Sequence, residues 1–450
     1  MIQDRQGNTL PGATAAAGEL FDEAVAAFAL YRGDPVALID RAIADAPDFA
    51  MARLFKAWLF ATATEPAANV GARALLAETA TLKLGAREAS HAAAIAAVLA
   101  GNWTEAALKL DRHNAEWPLD LVAVHTGHLI DFYRASARDL RDRILRVLPH
   151  WSASMPGRSL LLGMLAFGLE ECGDYARAEE TGREAVASEP FDCWAHHAVA
   201  HVMEMQGRGE DGIGWMIARE AWWSGDDNIF KVHNWWHRAL FHLGLGQGGA
   251  ALALYDAHVA PGEAPTALEL IDASAMLWRL QLAGVEPGPR WDAVAAAWEG
   301  ATDGRTYPFN DWHAAIAHLG AGRADEAERL CAELSRMEAG EAGRWARETA
   351  LPLIRGFAAF SDGDHDSAVD ALLPARAIAN RFGGSHAQRD IIDWTLTEAA
   401  IRAGRTSLAA ALANERLAHK PRSPVARRLL ARSRDATAQS PKGRVSDLAA

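Results

Sequence analysis

Two histidine pairs stand out in the sequence because each has helical spacing. His197 and His201 are four residues apart and are followed by Glu204, and His233 and His237 repeat the four-residue spacing further along the chain. Residues three and four apart lie on one face of a helix, so each pattern brings its side chains together. Residues 190–260 hold 7 of the 17 histidines and 6 of the 16 tryptophans, so the excess of both residue types is concentrated in one region.

These side chains are compatible with three kinds of chemistry. On facing helices, the four imidazoles and the carboxylate could supply three or four nitrogen and oxygen ligands to a divalent metal such as Zn²⁺, Fe²⁺ or Mn²⁺. They could equally form a general acid–base cluster in which a carboxylate tunes an imidazole. The simplest interpretation is an interhelical hydrogen-bond network that sets the register between neighbouring helices. The spacing alone leaves the three alternatives open.

A third group of polar residues lies at residues 383–390, where two glycines precede Ser385. His386, Gln388, Arg389 and Asp390 form a dense set of hydrogen-bond donors and acceptors. A structural interpretation is also available, because Ser385 suits the N-cap of a helix and an acidic residue suits its first turn. We therefore treat His386 and Asp390 as candidate catalytic residues beside His201, Glu204 and His237, without assigning a catalytic role.

Composition excludes several functional classes. The 450-residue chain has a formal net charge of −13, which argues against non-specific binding to nucleic acid or to an anionic membrane. Its three cysteines include no CxxC pair, so neither a disulfide framework nor a cysteine-type zinc site is expected. Phosphate-loop, nucleophile-elbow and HExxH patterns are missing from the sequence. The N-terminus lacks the apolar segment of a secretory signal, and we expect a cytoplasmic protein.

Apolar residues recur at helical spacing along almost the whole chain, which predicts an all-α protein. Numbered from Ser159, small residues fall at positions eight (Ala166), twenty (Ala178) and twenty-seven (Ala185), and Pro190 falls at position thirty-two. This is the tetratricopeptide pattern, in which small residues stand where two antiparallel helices cross closely and proline ends the unit.

Glycines predict the turn inside each helix pair. They recur 34 to 41 residues apart along the later part of the chain, and two early intervals of 68 and 72 residues each leave room for one weaker pair. The predicted turn glycines are Gly33, Gly101, Gly173, Gly207, Gly246, Gly284, Gly322, Gly363 and Gly404. We therefore expect a single α-solenoid of about eleven tetratricopeptide-like helix pairs forming a right-handed superhelix. It would span residues 19–432, after an N-terminal segment (1–18) and before a disordered tail (433–450).

The first helix of each tetratricopeptide unit lines the concave groove of the superhelix, so this register selects candidate ligand-binding residues. The register gives Trp194, His197, His201, Glu204, His233, Trp236 and Trp312, and His237 and His313 are adjacent to it. The polar segment 383–390 adds His386, Gln388 and Arg389 to the candidates. Of these, His197, His201, Glu204, His233 and His237 are also the weak candidates for metal ligands. Other tryptophans at helical spacing are expected in the core between repeats: Trp222, Trp223, Trp278, Trp291 and Trp298.

Several of these segments resemble the tetratricopeptide repeat protein 38 family. The most specific matches are His233-Asn-Trp-Trp-His237 and Gly384-Ser-His-Ala-Gln-Arg-Asp390, which are not general tetratricopeptide features. The resemblance extends over about residues 20–430 and implies a single-domain α-solenoid. It brings no established reaction, cofactor or partner. The chain departs from a regular array around residues 119–158, where no turn glycine is evident.

Taken together, the sequence predicts a tetratricopeptide-repeat protein whose His-, Trp- and acid-rich concave pocket binds a small ligand or a partner segment. The alternative is an enzyme that performs acid–base or metal-assisted hydrolysis in a closed superhelix, built on His201, Glu204, His233, His237 and residues 386–390.

Overall fold

The computed structural model describes residues 2–338 and 340–439. Regular structure in these ranges is helical, and the only β contacts there are two isolated antiparallel bridges, Gln3 with Thr9 and Arg32 with Asn228. The predicted all-α class is confirmed.

The α-helices are α1 (Ala15–Leu30), α2 (Pro35–Asp45), α3 (Ala50–Ala61), α4 (Pro66–Thr79), α5 (Ala86–Leu99), α6 (Trp103–Glu116), α7 (Leu121–Tyr133), α8 (Ala137–Val147), α9 (Arg158–Glu171), α10 (Tyr175–Ser188), α11 (Cys193–Met205), α12 (Gly209–Ala218), α13 (Glu220–Trp223), α14 (Lys231–Gly244), α15 (Gly248–Leu254), α16 (Ala267–Leu282), α17 (Arg290–Ala297), α18 (Pro308–Gly320), α19 (Ala324–Ser335), α20 (Glu341–Trp345), α21 (Leu351–Ser361), α22 (His365–Arg376), α23 (His386–Arg402), α24 (Thr406–His419) and α25 (Pro424–Gln439). Short 3-10 turns cover Leu148–His150 and Ala379–Phe382, and single π-helical turns cover Tyr255–Val259 and Ala346–Ala350.

Each predicted turn glycine lies between two consecutive helices. All nine adopt a left-handed backbone conformation, with φ between 67° (Gly207) and 80° (Gly284 and Gly363). Glycine reaches this region without the steric penalty that a Cβ atom imposes. In most of these turns the next helix starts two residues later, as at Gly173 and Tyr175. The glycine spacing therefore identified the turns of these helix pairs correctly.

The two long intervals in the glycine series each contain one further helix pair, as expected. In these two pairs the left-handed position is occupied by a residue other than glycine: Thr64 (φ 60°) between α3 and α4, and Ala135 (φ 44°) between α7 and α8. The irregular region around residues 119–158 thus keeps the helix–turn–helix unit, and only the turn residue differs.

Helices pack mainly against their neighbours in the chain, and a second set of contacts joins distant helices. Helix α16 contacts α23, α11 also contacts α23, and α6 contacts α20. The Asn310 side chain donates hydrogen bonds to the carbonyl oxygen of Thr64 at 3.0 Å and to its hydroxyl at 3.1 Å. The Lys420 ammonium group lies 2.7 Å from the Glu204 carboxylate. Residues more than two hundred positions apart therefore meet in the interior.

Tryptophans fill much of the space between the helices. Trp223, Trp278 and Trp298 are at most 1% exposed and Trp291 is 5% exposed, as expected for core residues. The prediction for Trp222 was wrong: its side chain is 41% exposed. Helix α13 is a single turn, and adjacent residues in one turn point in different directions, so only Trp223 faces inward.

The structure describes almost all of the predicted N-terminal segment but only part of the predicted C-terminal tail. Helix α1 begins at Ala15, within the predicted N-terminal segment. Helix α25 extends to Gln439, past Ser433, where the predicted tail begins; the rest of that tail, residues 440–450, lies outside the described residues. Across the described ranges, none of the helices combines the length and the apolarity that a bilayer-spanning segment requires.

The left-handed turn residues predict opposite effects of two matched substitutions. Ala135→Gly should raise the melting temperature, because relief of the left-handed Cβ clash, worth about 1–2 kcal/mol, exceeds the added entropy of the unfolded chain, worth about 0.4–1 kcal/mol. Gly173→Ala should lower it, because alanine there is strained by about 1–2 kcal/mol while the space around its Cβ is open. Thermal denaturation of both variants measures the difference, and shifts of the same sign would contradict the interpretation.

Candidate functional site

Helices α11 and α14 bring the two histidine pairs together. His197, His201, His233 and His237, which we call the histidine tetrad, are all buried, and one ring nitrogen of each lies within 4.8 Å of those of the other three. The helical repeat aligns each pair on one face, and packing of α11 against α14 turns the two faces toward each other. The interhelical convergence considered from the sequence is therefore present.

Within the tetrad, the imidazoles of His197 and His233 approach each other with their Nε2 atoms. The Nε2 atoms of His197 and His233 are 3.1 Å apart. The Nδ1 atom of His233 lies 2.8 Å from the carboxylate of Asp272 on α16. When the ring proton of His233 is on Nδ1, this N–H donates a hydrogen bond to Asp272. The lone pair of Nε2 then points to the centre of the tetrad.

A second buried carboxylate approaches the tetrad from α9. The Oε2 atom of Glu170 lies 3.4 Å from Nδ1 of His201. Burial, followed by the nearby Glu171 carboxylate, raises the pKa of Glu170 well above its usual value. Burial also raises the pKa of Asp272, although His233 acts in the opposite direction. For both acidic groups, the effect of burial thus outweighs the attraction of the nearby basic groups.

Three of the tetrad imidazoles, those of His197, His201 and His237, are uncharged at neutral pH. Burial lowers the pKa of His201 to about 3, and burial together with the neighbouring imidazoles holds the pKa values of His197 and His237 well below the usual value. Within the described part of the chain, no group hydrogen-bonds to Nε2 of His201 or to either ring nitrogen of His237. The centre therefore holds neutral nitrogen lone pairs, and unsatisfied buried polar atoms of this kind are rare.

Glu204 lies away from the tetrad centre, although its spacing from His201 suggested otherwise. Its carboxylate binds the ammonium group of Lys420, at 2.7 Å. Lys420 also lies 3.9 Å from Asp390, and Asp390 binds Arg416 at 3.0 Å. Glu204 and Asp390 thus belong to a separate ionic network, and the carboxylate next to His201 is that of Glu170.

The segment at residues 383–390 begins helix α23 with a capping box. The Ser385 hydroxyl accepts a hydrogen bond from the backbone N–H of Gln388, and the Gln388 side chain accepts one from the backbone N–H of Ser385. His386 and Arg389 both contact Glu171, His386 through Nδ1 at 3.3 Å and Arg389 at 3.6 Å. The structural interpretation of this segment therefore accounts for most of its polar atoms.

A cavity of about 690 Å³ lies beside the tetrad. Four of the sequence-predicted ligand-binding residues contribute to its wall: Trp194, His197, His233 and Gln388. Its aromatic wall residues are Phe28, Tyr31, Phe60, Phe132, Tyr133, Trp194, Phe230, Tyr307 and Phe309. Two tetrad imidazoles thus form part of an otherwise largely apolar chamber.

The charged groups of the cavity wall have one sign. Asp34 and Glu65 contribute carboxylates, whereas no lysine or arginine belongs to the wall as far as the chain is described. Three aromatic rings of the same wall lie next to one another. The rings of Tyr31 and Trp194 stack, with centroids 5.9 Å apart and an interplanar angle of 10°. Phe230 packs against both rings, at 5.0 Å from Tyr31 and 5.4 Å from Trp194.

The remaining predicted ligand-binding residues lie outside the cavity wall. The ring of Trp236 stacks on that of His233, with the two centroids 5.2 Å apart, and so supports that imidazole. Trp312 and His313 are fully buried on α18, and Nδ1 of His313 hydrogen-bonds to the carbonyl oxygen of Phe309 at 2.9 Å. These three residues therefore act on the site only indirectly, through the side chains that they contact.

Sequence reasoning missed the groups that complete the site. Asp272 and Glu170 are acidic residues on helices whose other positions are almost wholly buried, and an acidic residue within such an apolar helix was the signal that could have identified them. Tyr31 and Glu65 come from the first helix pairs and carried no comparable signal, because their proximity to α11 and α14 depends on long-range packing.

Another buried group, formed by His91, His113 and Asp120, has a structural role. Nε2 atoms of His91 and His113 lie 3.0 and 3.1 Å from the Asp120 carboxylate, which also accepts a hydrogen bond from Arg87 at 2.6 Å. The Trp58 indole donates to Nδ1 of His91 at 2.9 Å. Both ring nitrogens of His91 are therefore engaged, Arg87 already compensates the carboxylate charge, and Nδ1 of His113 is the one ring nitrogen of the group without a hydrogen-bond partner among the described residues.

Comparison with models of known protein families finds no match to this chain.

Buried uncharged histidines predict a loss of stability in mild acid. Burial lowers the pKa of His125 on α7 to about 4, from a usual value near 6.5. Between these values the unfolded chain binds a proton that the folded chain does not, so stability falls as the pH decreases, by about 1.4 kcal/mol per pH unit for one such group. His125→Gln should therefore reduce the drop in melting temperature between pH 7 and pH 5.

The matched control is His150→Gln, because His150 is an exposed histidine in the turn after α8. This variant should keep the wild-type dependence of melting temperature on pH. If His125→Gln showed the same pH dependence as the wild type, burial of the neutral imidazole would not be the cause of acid instability.

Proposed function

We propose that the chain is a tetratricopeptide-like α-solenoid whose right-handed superhelix closes on itself around an internal binding site. Support comes from the consecutive packing of helix pairs and from the left-handed turns that separate their helices. The contacts of α16 and α11 with α23 support the closure. The resemblance to the tetratricopeptide repeat protein 38 family agrees with this architecture and adds no activity to it.

The function that we propose is binding of one small, largely apolar organic molecule. The observation that carries the proposal is the cavity of about 690 Å³, with its aromatic wall and few polar groups. Ligand sites typically have volumes of about 300–1,000 Å³ and combine apolar walls with a few polar atoms that fix orientation. A cavity of this size suits a compact molecule better than a peptide segment.

The charges of the wall indicate the class of ligand. Glu65 and Asp34 repel an anion, and no wall cation among the described residues would compensate a carboxylate or phosphate. Aromatic faces attract an organic cation, and Tyr31, Trp194 and Phe230 present three adjacent rings. We therefore infer that the ligand is uncharged or carries a positively charged amine on an apolar body.

The hydrolytic alternative stays a prediction that the arrangement supports less directly. Its candidate residues divide among three places: His201, His233 and His237 in the tetrad, Glu204 and Asp390 in the network around Lys420, and His386 beside Glu171. An acid–base pair needs its members within hydrogen-bond reach of one substrate. Ligand binding requires no such convergence.

The proposal predicts a preference among ligands that share one apolar body. Naphthylmethylamine, naphthylmethanol and naphthoate should be titrated against the protein, with quenching of tryptophan fluorescence as the measure of binding. We expect the amine and the alcohol to bind at least about tenfold more tightly than the carboxylate, a difference of about 1.4 kcal/mol. Glu65→Gln should weaken binding of the amine and leave the alcohol unaffected.

Two substitutions on α4 test whether the ligand binds in this cavity. Ala68 belongs to the cavity wall, whereas Ala67 is exposed and does not. Ala68→Trp should abolish binding because the indole enters the chamber and blocks its aromatic wall, and Ala67→Trp should bind as the wild type does. Binding that survives Ala68→Trp, or tightest binding of naphthoate, would refute the proposed site.

A further inference from the structure

The histidine tetrad has the composition of a metal centre. Four buried imidazoles from two helices direct ring nitrogens at one another, and these nitrogens lie within 4.8 Å of one another. A hydrogen-bond network accounts for the contact between His197 and His233. It does not account for His237, neither of whose ring nitrogens has a hydrogen-bonding partner among the described residues.

The distances in the tetrad suit a shared ion. Zinc–nitrogen bonds of about 2.0–2.1 Å in tetrahedral geometry place the ligand nitrogens about 3.4 Å apart. The Nε2 atoms of His197 and His233 are already 3.1 Å apart. Even for a pair 4.8 Å apart, the upper limit of the separations, each nitrogen would need to move inward by less than about 1 Å, which side-chain rotation within a helix face can supply.

The second shell of the tetrad has the form found around metal-bound histidines. Such a histidine usually donates its other ring N–H to a carboxylate, which fixes the ring and makes the ligating nitrogen more basic. His233 has this arrangement with Asp272, at 2.8 Å. His201 approaches it with Glu170, at 3.4 Å.

Charge balance points in the same direction. Asp272 and Glu170 are fully buried beside the tetrad, and among the described residues the ion-pair partners in direct contact with them are tetrad imidazoles. A buried carboxylate needs a compensating charge. One divalent cation at the centre of the tetrad would balance both carboxylates.

We propose that His197, His201, His233 and His237 bind one divalent transition-metal ion, with Asp272 and Glu170 as second-shell partners. Imidazole nitrogen favours Zn²⁺, Co²⁺, Ni²⁺, Cu²⁺ or Fe²⁺ over Mg²⁺ and Ca²⁺, which prefer oxygen ligands. The ion cross-links α11 to α14. Because His197 and His233 also belong to the cavity wall, it lies immediately behind the proposed ligand site.

The first experiment uses the full wild-type chain. The protein is treated with a chelator, reloaded with Zn²⁺ or Co²⁺ and passed through a desalting column, and the bound metal is measured by mass spectrometry. We expect one equivalent per chain, a raised melting temperature and the intense visible absorption of four-coordinate Co²⁺. X-ray absorption of the zinc form should show at least three imidazole ligands at about 2.0–2.1 Å.

Single substitutions test which side chains bind the metal ion. His237→Gln and His201→Gln should each weaken zinc binding by at least about tenfold, and Asp272→Asn should weaken it by about 10- to 100-fold. The matched control is His313→Gln, which removes a fully buried imidazole outside the tetrad and should retain one equivalent of zinc. Circular dichroism of each variant distinguishes loss of a ligand from loss of the fold.

The proposal is overturned if the reloaded wild type retains no metal, or if its absorption spectrum shows oxygen ligands in place of imidazoles. Both measurements need only the wild type, so they decide the question even if a variant does not fold. The metal site does not rest on the proposed ligand function: Ala68→Trp should lose ligand binding and still hold one equivalent of zinc.

Discussion

Each helix pair in this chain has an apolar face that must be covered, and neighbouring pairs in the chain cover most of it. This constraint explains why nearly every helix packs against its neighbours in the chain, and why residues such as Ala166 and Ala178, where two helices cross, are completely buried. It also explains the location of the tetrad. His197 and His201 lie on α11 and His233 and His237 on α14, so the site occupies the buried junction at which these two helices pack.

Burial at that junction determines the chemistry of the site. A histidine at the surface titrates near neutral pH, whereas burial lowers the pKa of His201 to about 3 and keeps its nitrogen lone pairs free. The same burial raises the pKa values of Glu170 and Asp272. The Asp120 group shows the other outcome: Arg87 lies in direct contact with the carboxylate, and its attraction together with that of His91 outweighs burial, so that the pKa of Asp120 falls.

Much of the fold was predictable from the sequence, because helices and turns depend on local interactions. The N-cap at Ser385 follows from a few consecutive residues, and the turns and the extra pairs in the two long intervals follow from the spacing of the glycines. The assembly of the site was only partly predictable. Spacing placed His201 and Glu204 on one helix, but it could not show that the carboxylate would turn toward Lys420, more than two hundred residues away. Contacts between distant pairs depend on rotations that accumulate over many repeats, and small errors in each rotation add up.

The cavity wall combines residues that are far apart in the chain, from Phe28 on α1 to Gln388 on α23. Because helices pack mainly against their neighbours in the chain, the first helix pairs can form while the ribosome is still synthesising the rest. The chamber itself cannot exist until α23 has been made and has packed beside α16 and α11. During synthesis the aromatic residues of the early pairs therefore remain uncovered, and this surface is the part of the nascent protein that a chaperone would have most reason to bind.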